Sequence, residues 1–250
     1  MEKKKKEKKY LMIVLVSIIL ICIMVCIGKF IYNKMNSDKD ILGEMEIDKS
    51  QITNEKPERI LQLEELQKEN QDIIAYLQIE GTNISYPVVQ TDNNDFYMKH
   101  DYKKEYSSDG SLFLDKDYDW TIPSSNLLIY GHNNKNGKMF AELMNYKEEK
   151  FYQEHPKIIF TTNSEDKEYE IIAVFLSRVY YKSEKNVFRY YYFINAQTEE
   201  EYNDYIENSK KASLYDTGKS AEYGEQLITL STCSYHTEDG RLAVVAKKIK

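Results

Sequence analysis

The sequence predicts a mainly-β domain, a barrel or a sandwich, that carries a few helices and follows a single N-terminal transmembrane helix. Three observations lead there. Residues 10–28 form 19 consecutive positions without a charge. From residue 73 onward, short apolar runs bounded by turn residues recur at the spacing of a barrel or sandwich. Within that body only two stretches replace the pattern with helical periodicity.

The elements follow in order. Residues 1–9 are a basic tail with Lys3, Lys4, Lys5, Lys6, Lys8 and Lys9. Residues 10–32 form the span, which at about 1.5 Å per residue crosses a bilayer core, with Lys29 able to snorkel. The positive-inside rule keeps the tail in the cytoplasm and puts everything after the span outside the cell, a type II single-pass topology at the cell membrane. A cleaved signal peptide is the competing reading, but no Ala precedes Ala75, and Gly28-Lys29-Phe30 makes a poor cleavage site.

Residues 33–56 are a polar stalk, and residues 57–250 are the extracellular domain. Pro57 opens PERILQLEELQKEN, where Ile60, Leu63, Leu66 and Gln67 keep helical spacing. IIAYLQI, ISYPVVQ, GSLFLD, NLLIYG, KIIFTT, EYEIIAVFLSRVYY, EQLITLSTC and RLAVVAKKIK read as about eight strands. The two helical interruptions are Lys138 to Tyr152, and Thr198 to Ser213 with Thr198 as N-cap and three Glu in the first turn.

Composition and charge exclude whole classes. Nine Gly and four Pro are too few for a low-complexity polymer, while 22 Tyr, nine Phe and one Trp supply the rings of a real core. Residues 1–34 hold eight Lys and two Glu, a net +6, which leaves 26 basic and 39 acidic residues, a net −13, in the remainder. An acidic body argues against nucleic acid as a partner. Neither a solenoid repeat nor a zinc-type Cys/His spacing occurs, and no metal or cofactor is expected.

Of three cysteines, Cys22 and Cys26 fall inside the span, so Cys233 is the only thiol of the outer domain. A lone thiol outside the cell is either deeply buried or kept for its chemistry. Cys233 closes QLITLSTC, and Arg241 opens the next run after SYHTEDG, whose Asp239-Gly240 is a turn signal; paired as a hairpin, the two residues meet at its loop end. His132 stands where the apolar run NLLIY gives way to a Gly/Asn loop, a position that presents a side chain at a rim. A thiolate for acyl transfer needs an imidazole to take its proton and a guanidinium to steady the oxyanion. Cys233, His132 and Arg241 can fill those roles. Each also has an ordinary explanation as an inert strand-end Cys, a solvated loop His and a surface Arg. His236 is a rival base in the predicted loop, and His100 and His155 read as surface residues.

TLSTCSY with EDGRLAVVAKKI, LLIYGHNN with GKMFAEL, and YPVVQTDNNDFYMKHDY with GSLFLD resemble the sortases, most closely class B, from about Ile73 to the C-terminus. The resemblance implies a closed eight-stranded barrel with a long helix before the strand that bears the cysteine. It further implies a membrane-anchored cysteine transpeptidase of Gram-positive bacteria. Such an enzyme cleaves a C-terminal sorting motif of a secreted protein after Thr, here of an Asn-, Ser- or Pro-Pro-x-Thr type. It holds the protein as a thioacyl intermediate and passes it to an amine of the lipid-linked peptidoglycan precursor. By motif match Cys233 is the nucleophile, His132 the general acid/base and Arg241 the oxyanion or positioning group, with Ser231, Asn94 and Met98 as substrate-binding residues. The absence of a second membrane segment and of a long lid argues against the pilin-polymerising class, and Ser234 stands where relatives can carry an acidic group.

Two other readings compete. An L,D-transpeptidase that crosslinks peptidoglycan also uses Cys, His and Arg, but its pattern puts His and Gly just before the Cys, where this chain has Ser231 and Thr232. A membrane-tethered binding module would grip wall polymer through Tyr180, Tyr181, Tyr190, Tyr191 and Tyr192.

Overall fold

A computed structural model describes residues 58–122 and 124–250 of the chain. The basic tail, the span expected over residues 10–32 and the stalk lie outside those residues. Among the described residues no helix is long and apolar enough to cross a membrane.

Eight strands form on the eight apolar runs: β1 (Ile73–Gln78), β2 (Ser85–Val89), β3 (Leu112–Leu114), β4 (Asn126–Tyr130), β5 (Lys157–Thr161), β6 (Asp166–Arg178), β7 (Leu227–Cys233) and β8 (Gly240–Lys248). They close into a barrel in the order β1-β2-β3-β4-β7-β8-β6-β5, with β5 returning to β1. Closure leaves no sheet edge to pair with another chain. The pairs β2/β3 and β4/β7 are parallel, and the others are antiparallel. The parallel β4/β7 pair positions the site. Because both strands run the same way, the residues after Tyr130 and the end of β7 emerge at one rim, and the antiparallel β8 starts there.

Side chains alternate between the barrel interior and an outer layer, as the period of two requires. On β4, Leu127 and Ile129 face in and Leu128 faces out; on β8, Leu242, Val244 and Ala246 face in and Ala243 and Val245 face out. A register shift in β6 between Ile171 and Ala173 changes the phase, so Ile172 and Ala173 both join the outer cluster before Val174 turns inward again. Each fully buried aliphatic or phenyl side chain contributes about 1.5–3 kcal/mol of hydrophobic free energy relative to exposure.

Helices cover the barrel where its outer face is apolar. Helix α1 (Glu58–Glu69) buries Ile60, Leu63 and Leu66 against β1 and β5. Helix α2 (Glu149–Glu154) is a single turn and a half. Helix α3 (Glu199–Ala212) starts at Thr198, whose side chain accepts from Glu201 N at 3.2 Å, and lays Tyr202, Tyr205 and Ile206 on the outer cluster. The Tyr205 hydroxyl reaches the buried Thr229 hydroxyl of β7 at 2.8 Å, which satisfies both polar groups under the helix.

The helix expected from Lys138 to Tyr152 is not continuous. Met139 adopts φ +56° and bridges to Asn133, and Phe140 N donates to His132 O at 2.9 Å, so the start of the segment is pinned to the loop after β4. A 3-10 helix then runs over Glu142–Lys147, and the extended backbone of Glu148 separates it from α2. Burial of Phe140, Leu143 and Tyr146 dictates this path over the segment's helical periodicity.

Candidate active site

The rim at the end of β7 gathers three of the residues singled out from sequence. Cys233 and Arg241 are direct Cα partners in the β7/β8 pair, and Asp239, at φ +50°, makes the turn between them. Parallel pairing sets Tyr130 against Ser231, so His132 leaves β4 two residues beyond that pair just as Cys233 lies two residues beyond it on β7. Cys233, His132 and Arg241 are all half-buried, open enough to meet a peptide and enclosed enough to be held.

Several hydrogen bonds fix the separation of the two strand ends. Thr232 donates its hydroxyl to Gly131 O at 2.8 Å, and Gly131 N donates to Ser231 O at 3.1 Å. Asn133 Nδ2 donates to the carbonyl of Cys233 itself at 3.0 Å. Gly131 has no room for more than hydrogen, since a Cβ there would lie 2.4 Å from Leu112 Cδ2 and 2.7 Å from the Phe140 ring. Asn134 and Asn136 donate to Asp109 at 3.2 and 2.9 Å, which stitches the loop after β4 to the turn before β3.

The bond at His132 assigns its tautomer. Nε2 lies 2.8 Å from Met98 O, and a carbonyl oxygen only accepts, so Nε2 carries a proton. Nδ1 is therefore the nitrogen whose lone pair is free for proton transfer. Arg241 is held by its own turn, with Nη1 donating to Asp239 O at 3.2 Å and Gly240 O at 2.9 Å. Nη2 and Nε keep donors for a developing oxyanion or a peptide carbonyl.

The three expected substrate residues have different settings. Ser231 is buried, and its hydroxyl pairs with Tyr190 OH at 2.8 Å, so it meets a ligand only if Tyr190 yields. Met98 exposes its side chain and uses its backbone carbonyl to orient His132. Asn94 is half-buried and donates Nδ2 to Asp115 Oδ2 at 3.0 Å. His236 is exposed and bonds Ser234 Oγ at 2.9 Å through Nδ1. His100 and His155 are half-buried, not fully on the surface as expected, and each spends Nδ1 on a backbone carbonyl elsewhere, of Phe96 and Glu80.

The tyrosine surface expected of a binding module does not form as one face. Tyr181 and Tyr192 are exposed, but Tyr190 is buried against Phe175, where burial pushes its phenol up to about 12. Sequence reasoning passed over Thr232, Asn133, Tyr130 and Asp115. Tyr130 did carry a signal, as a polar-tipped residue closing the apolar run Leu127–Ile129.

Asn133→Ala removes the tie to the Cys233 carbonyl while keeping the Cys233 and His132 side chains themselves. A fall in peptide-cleaving kcat/KM of about tenfold is expected, because a displacement under 1 Å of reacting groups costs that order. The melting temperature should move by only a few degrees, in keeping with one lost hydrogen bond of about 1 kcal/mol. An unchanged rate would show that the tie is dispensable.

Known proteins place this arrangement in context. A family model described as the sortase domain matches residues 77–249. The chain is 33% identical over 192 residues to sortase B of Listeria monocytogenes, covering 75% of this chain and 74% of that protein. It is similar to the structure of sortase B from Bacillus anthracis, with TM-score 0.66 and 32% identity over 76% of this chain and 84% of the other. A Staphylococcus aureus sortase B–substrate complex is similar at TM-score 0.66 and 26% identity, over 76% of this chain and 85% of the other.

Proposed function

The chain belongs to the sortase family, class B, and is a cell-wall transpeptidase; from that premise we propose that it is membrane-anchored and joins secreted proteins to the peptidoglycan precursor through Cys233. The observation that carries the site assignment is the meeting of Cys233, Arg241 and the His132 loop at one barrel rim, with the His132 tautomer set by Met98 O.

The thiol of Cys233 gives its proton to His132 Nδ1, and Sγ attacks the carbonyl carbon of the Thr in the sorting motif. Negative charge collects on that carbonyl oxygen, and the free donors of Arg241 stabilise it. The carbon–nitrogen bond after Thr then breaks. His132 Nδ1 returns the proton to the leaving amine, and a thioester joins Thr to Cys233. An amine of the lipid-linked wall precursor attacks the thioester and loses a proton to Nδ1, the carbon–sulfur bond breaks as the acyl group passes to that amine, and Nδ1 gives the proton to Sγ, which restores the thiol. Throughout, Nε2 keeps its proton and donates it to Met98 O, and that carbonyl steadies the imidazolium, the part a carboxylate plays in a Ser-His-Asp triad.

The anchoring part of the proposal is supported by the uncharged run at residues 10–28 behind six lysines. It puts the catalytic domain on the wall face, where the secreted protein and the lipid-linked amine both arrive.

The test uses the full chain in detergent micelles with peptides that carry Asn-, Ser- or Pro-Pro-x-Thr motifs, with and without an oligoglycine amine. Cleavage after Thr, and a ligated product when the amine is present, are expected. Turnover of peptidoglycan stem peptides with no action on any motif peptide would overturn the proposal in favour of direct wall crosslinking.

A further inference from the structure

The carbonyl that orients His132 belongs to no strand of the barrel. Met98 closes a 3-10 turn over Phe96–Met98 in the long connection between β2 and β3, and Tyr97 is the side chain of that turn that is buried. Met98 exposes its own side chain, so its carbonyl takes its position from the backbone of Tyr97 before it. That backbone is held on one side by Ser111 N, which donates to Tyr97 O at 2.9 Å. The second hold is the Tyr97 phenol.

The phenol ends in a network at the junction of α1 and β1. Its OH donates to Asp72 Oδ2 at 2.8 Å and accepts from Asn70 Nδ2 at 2.8 Å. Asn70 is 5% exposed and uses both amide hydrogens there, the second on Tyr102 O at 2.6 Å, while its Oδ1 accepts from Asp72 N at 2.9 Å. A flipped amide would set its oxygen against the Tyr102 carbonyl, so the orientation is fixed. Asp72 is tied in turn by Lys104 Nζ at 2.9 Å, and its carbonyl accepts from Gln90 N at 2.9 Å just past β2. Asn70 N donates to Leu66 O and Ile73 N donates to Asn70 O, both at 3.2 Å, which locks the junction to the two elements it joins. Burial raises the phenol, with the Asn70 donor opposing and the Asp72 carboxylate adding to the shift, so the hydroxyl keeps its proton and remains a donor.

The connection to the site is continuous. Asn70 and Asp72 hold the Tyr97 hydroxyl, Tyr97 carries Met98, and Met98 O lies 2.8 Å from His132 Nε2. The turn's own bonds, Met98 N to Asp95 O and Lys99 N to Phe96 O, are both 3.2 Å, and such a short turn leaves its direction to its buried side chain.

We propose that Tyr97, held by Asn70 and Asp72, is the positioning residue for the general base: it fixes Met98 O where that carbonyl keeps the His132 proton on Nε2 and leaves Nδ1 free for the thiol. Tyr97 touches no reacting atom and acts through that carbonyl. The inference rests on the transpeptidase reading and adds to it the source of the base's tautomer, a junction that precedes the barrel.

The experiment uses the full chain in micelles. It measures kcat and KM on motif peptides beside the nitrogen NMR spectrum of isotope-labelled histidine at a pH where the imidazoles are neutral, with His132→Ala identifying the His132 signals. Tyr97→Phe keeps the ring and removes the hydroxyl. It should lower kcat about tenfold and leave KM within about twofold, because a displaced base slows the chemistry without weakening peptide binding. The His132 nitrogens of the parent should report a single Nε2–H tautomer, and those of Tyr97→Phe should move toward the average of the two tautomers. Asp72→Asn gives the Tyr97 hydroxyl a neutral acceptor in place of a charged one and should move both readouts the same way by less, which keeps the test open if Tyr97→Phe folds poorly. Tyr202→Phe is the control. It removes a hydroxyl of another buried ring, bonded to Glu225 O at 2.7 Å near the opposite end of β7, and should lose stability with no change in kcat or tautomer. A kcat within about twofold of the parent in both Tyr97→Phe and Asp72→Asn, a loss of kcat with the His132 signals unmoved, or an equal loss in Tyr202→Phe would overturn the proposal and leave Tyr97 a purely structural residue. A parent chain that cleaves no motif peptide would instead overturn the transpeptidase reading, and the tautomer measurement would still decide the positioning.

Discussion

Replacing Cys233 by Ala is expected to lower sorting-peptide cleavage by more than about 10⁴-fold, and His132→Ala by a comparable factor. The two side chains act as a unit: without the thiol there is no nucleophile, and without Nδ1 nothing takes its proton or returns it to the leaving amine. The double variant should therefore be no slower than the worse single variant, in contrast with the product of two independent losses. Residual cleavage in Cys233→Ala above the level of the double variant would locate the nucleophile elsewhere.

Neither change should disturb the fold. Cys233 ends β7 half-buried, and its strand is held by the pairs from Leu227 to Thr232 and by the Thr232–Gly131 bond. His132 contributes one bond to Met98 O, and its backbone carbonyl keeps accepting from Phe140 N in the Ala variant. Melting temperatures within a few degrees of the parent would confirm that the loss is chemical.

The strands were legible because each apolar run ends in turn residues, and all eight formed where the pattern put them. Closure of the barrel was legible only through the family resemblance, and of the pairings only the hairpin that sets Cys233 against Arg241 carried a local signal. The β4/β7 contact joins residues about a hundred positions apart, and no local signal in NLLIY or LITLSTC names the other as its partner. The local periodicity of Lys138 to Tyr152 was real but lost to tertiary demands, because Phe140 fills the space beside Gly131 and pulls the segment out of helix. At the site, Cys233, Arg241 and His132 could be found from residue type and position. Their supports could not: the acceptor that orients His132 is a backbone carbonyl, which leaves no mark in the side-chain sequence. The tyrosine cluster misled for the opposite reason, since composition does not tell an outward ring at Tyr192 from an inward one at Tyr190.

That dependence on backbone makes Gly110→Ala the most informative change outside the reacting residues. Gly110 lies in the turn before β3 at φ +65°, and a Cβ there would lie 2.8 Å from His132 Cδ2, 2.9 Å from Tyr97 O and 3.0 Å from Met98 O. The new methyl thus presses on the imidazole and on the carbonyl that orients it, and one or both must move. A shift near 1 Å in the general base is expected to lower kcat up to about 100-fold. The positive φ adds a separate cost of about 1–2 kcal/mol in stability, which Ala meets at any such position. Gly218→Ala isolates that cost, because Gly218 has φ +68° and a Cβ added there would meet nothing within 4 Å. Both variants should lose the positive-φ cost, Gly110→Ala should lose more stability through its contacts with Tyr97 O and Met98 O, and Gly110→Ala alone should lose kcat. Equal kcat in the two would mean that His132 works without the Met98 carbonyl, and that another group holds its proton on Nε2.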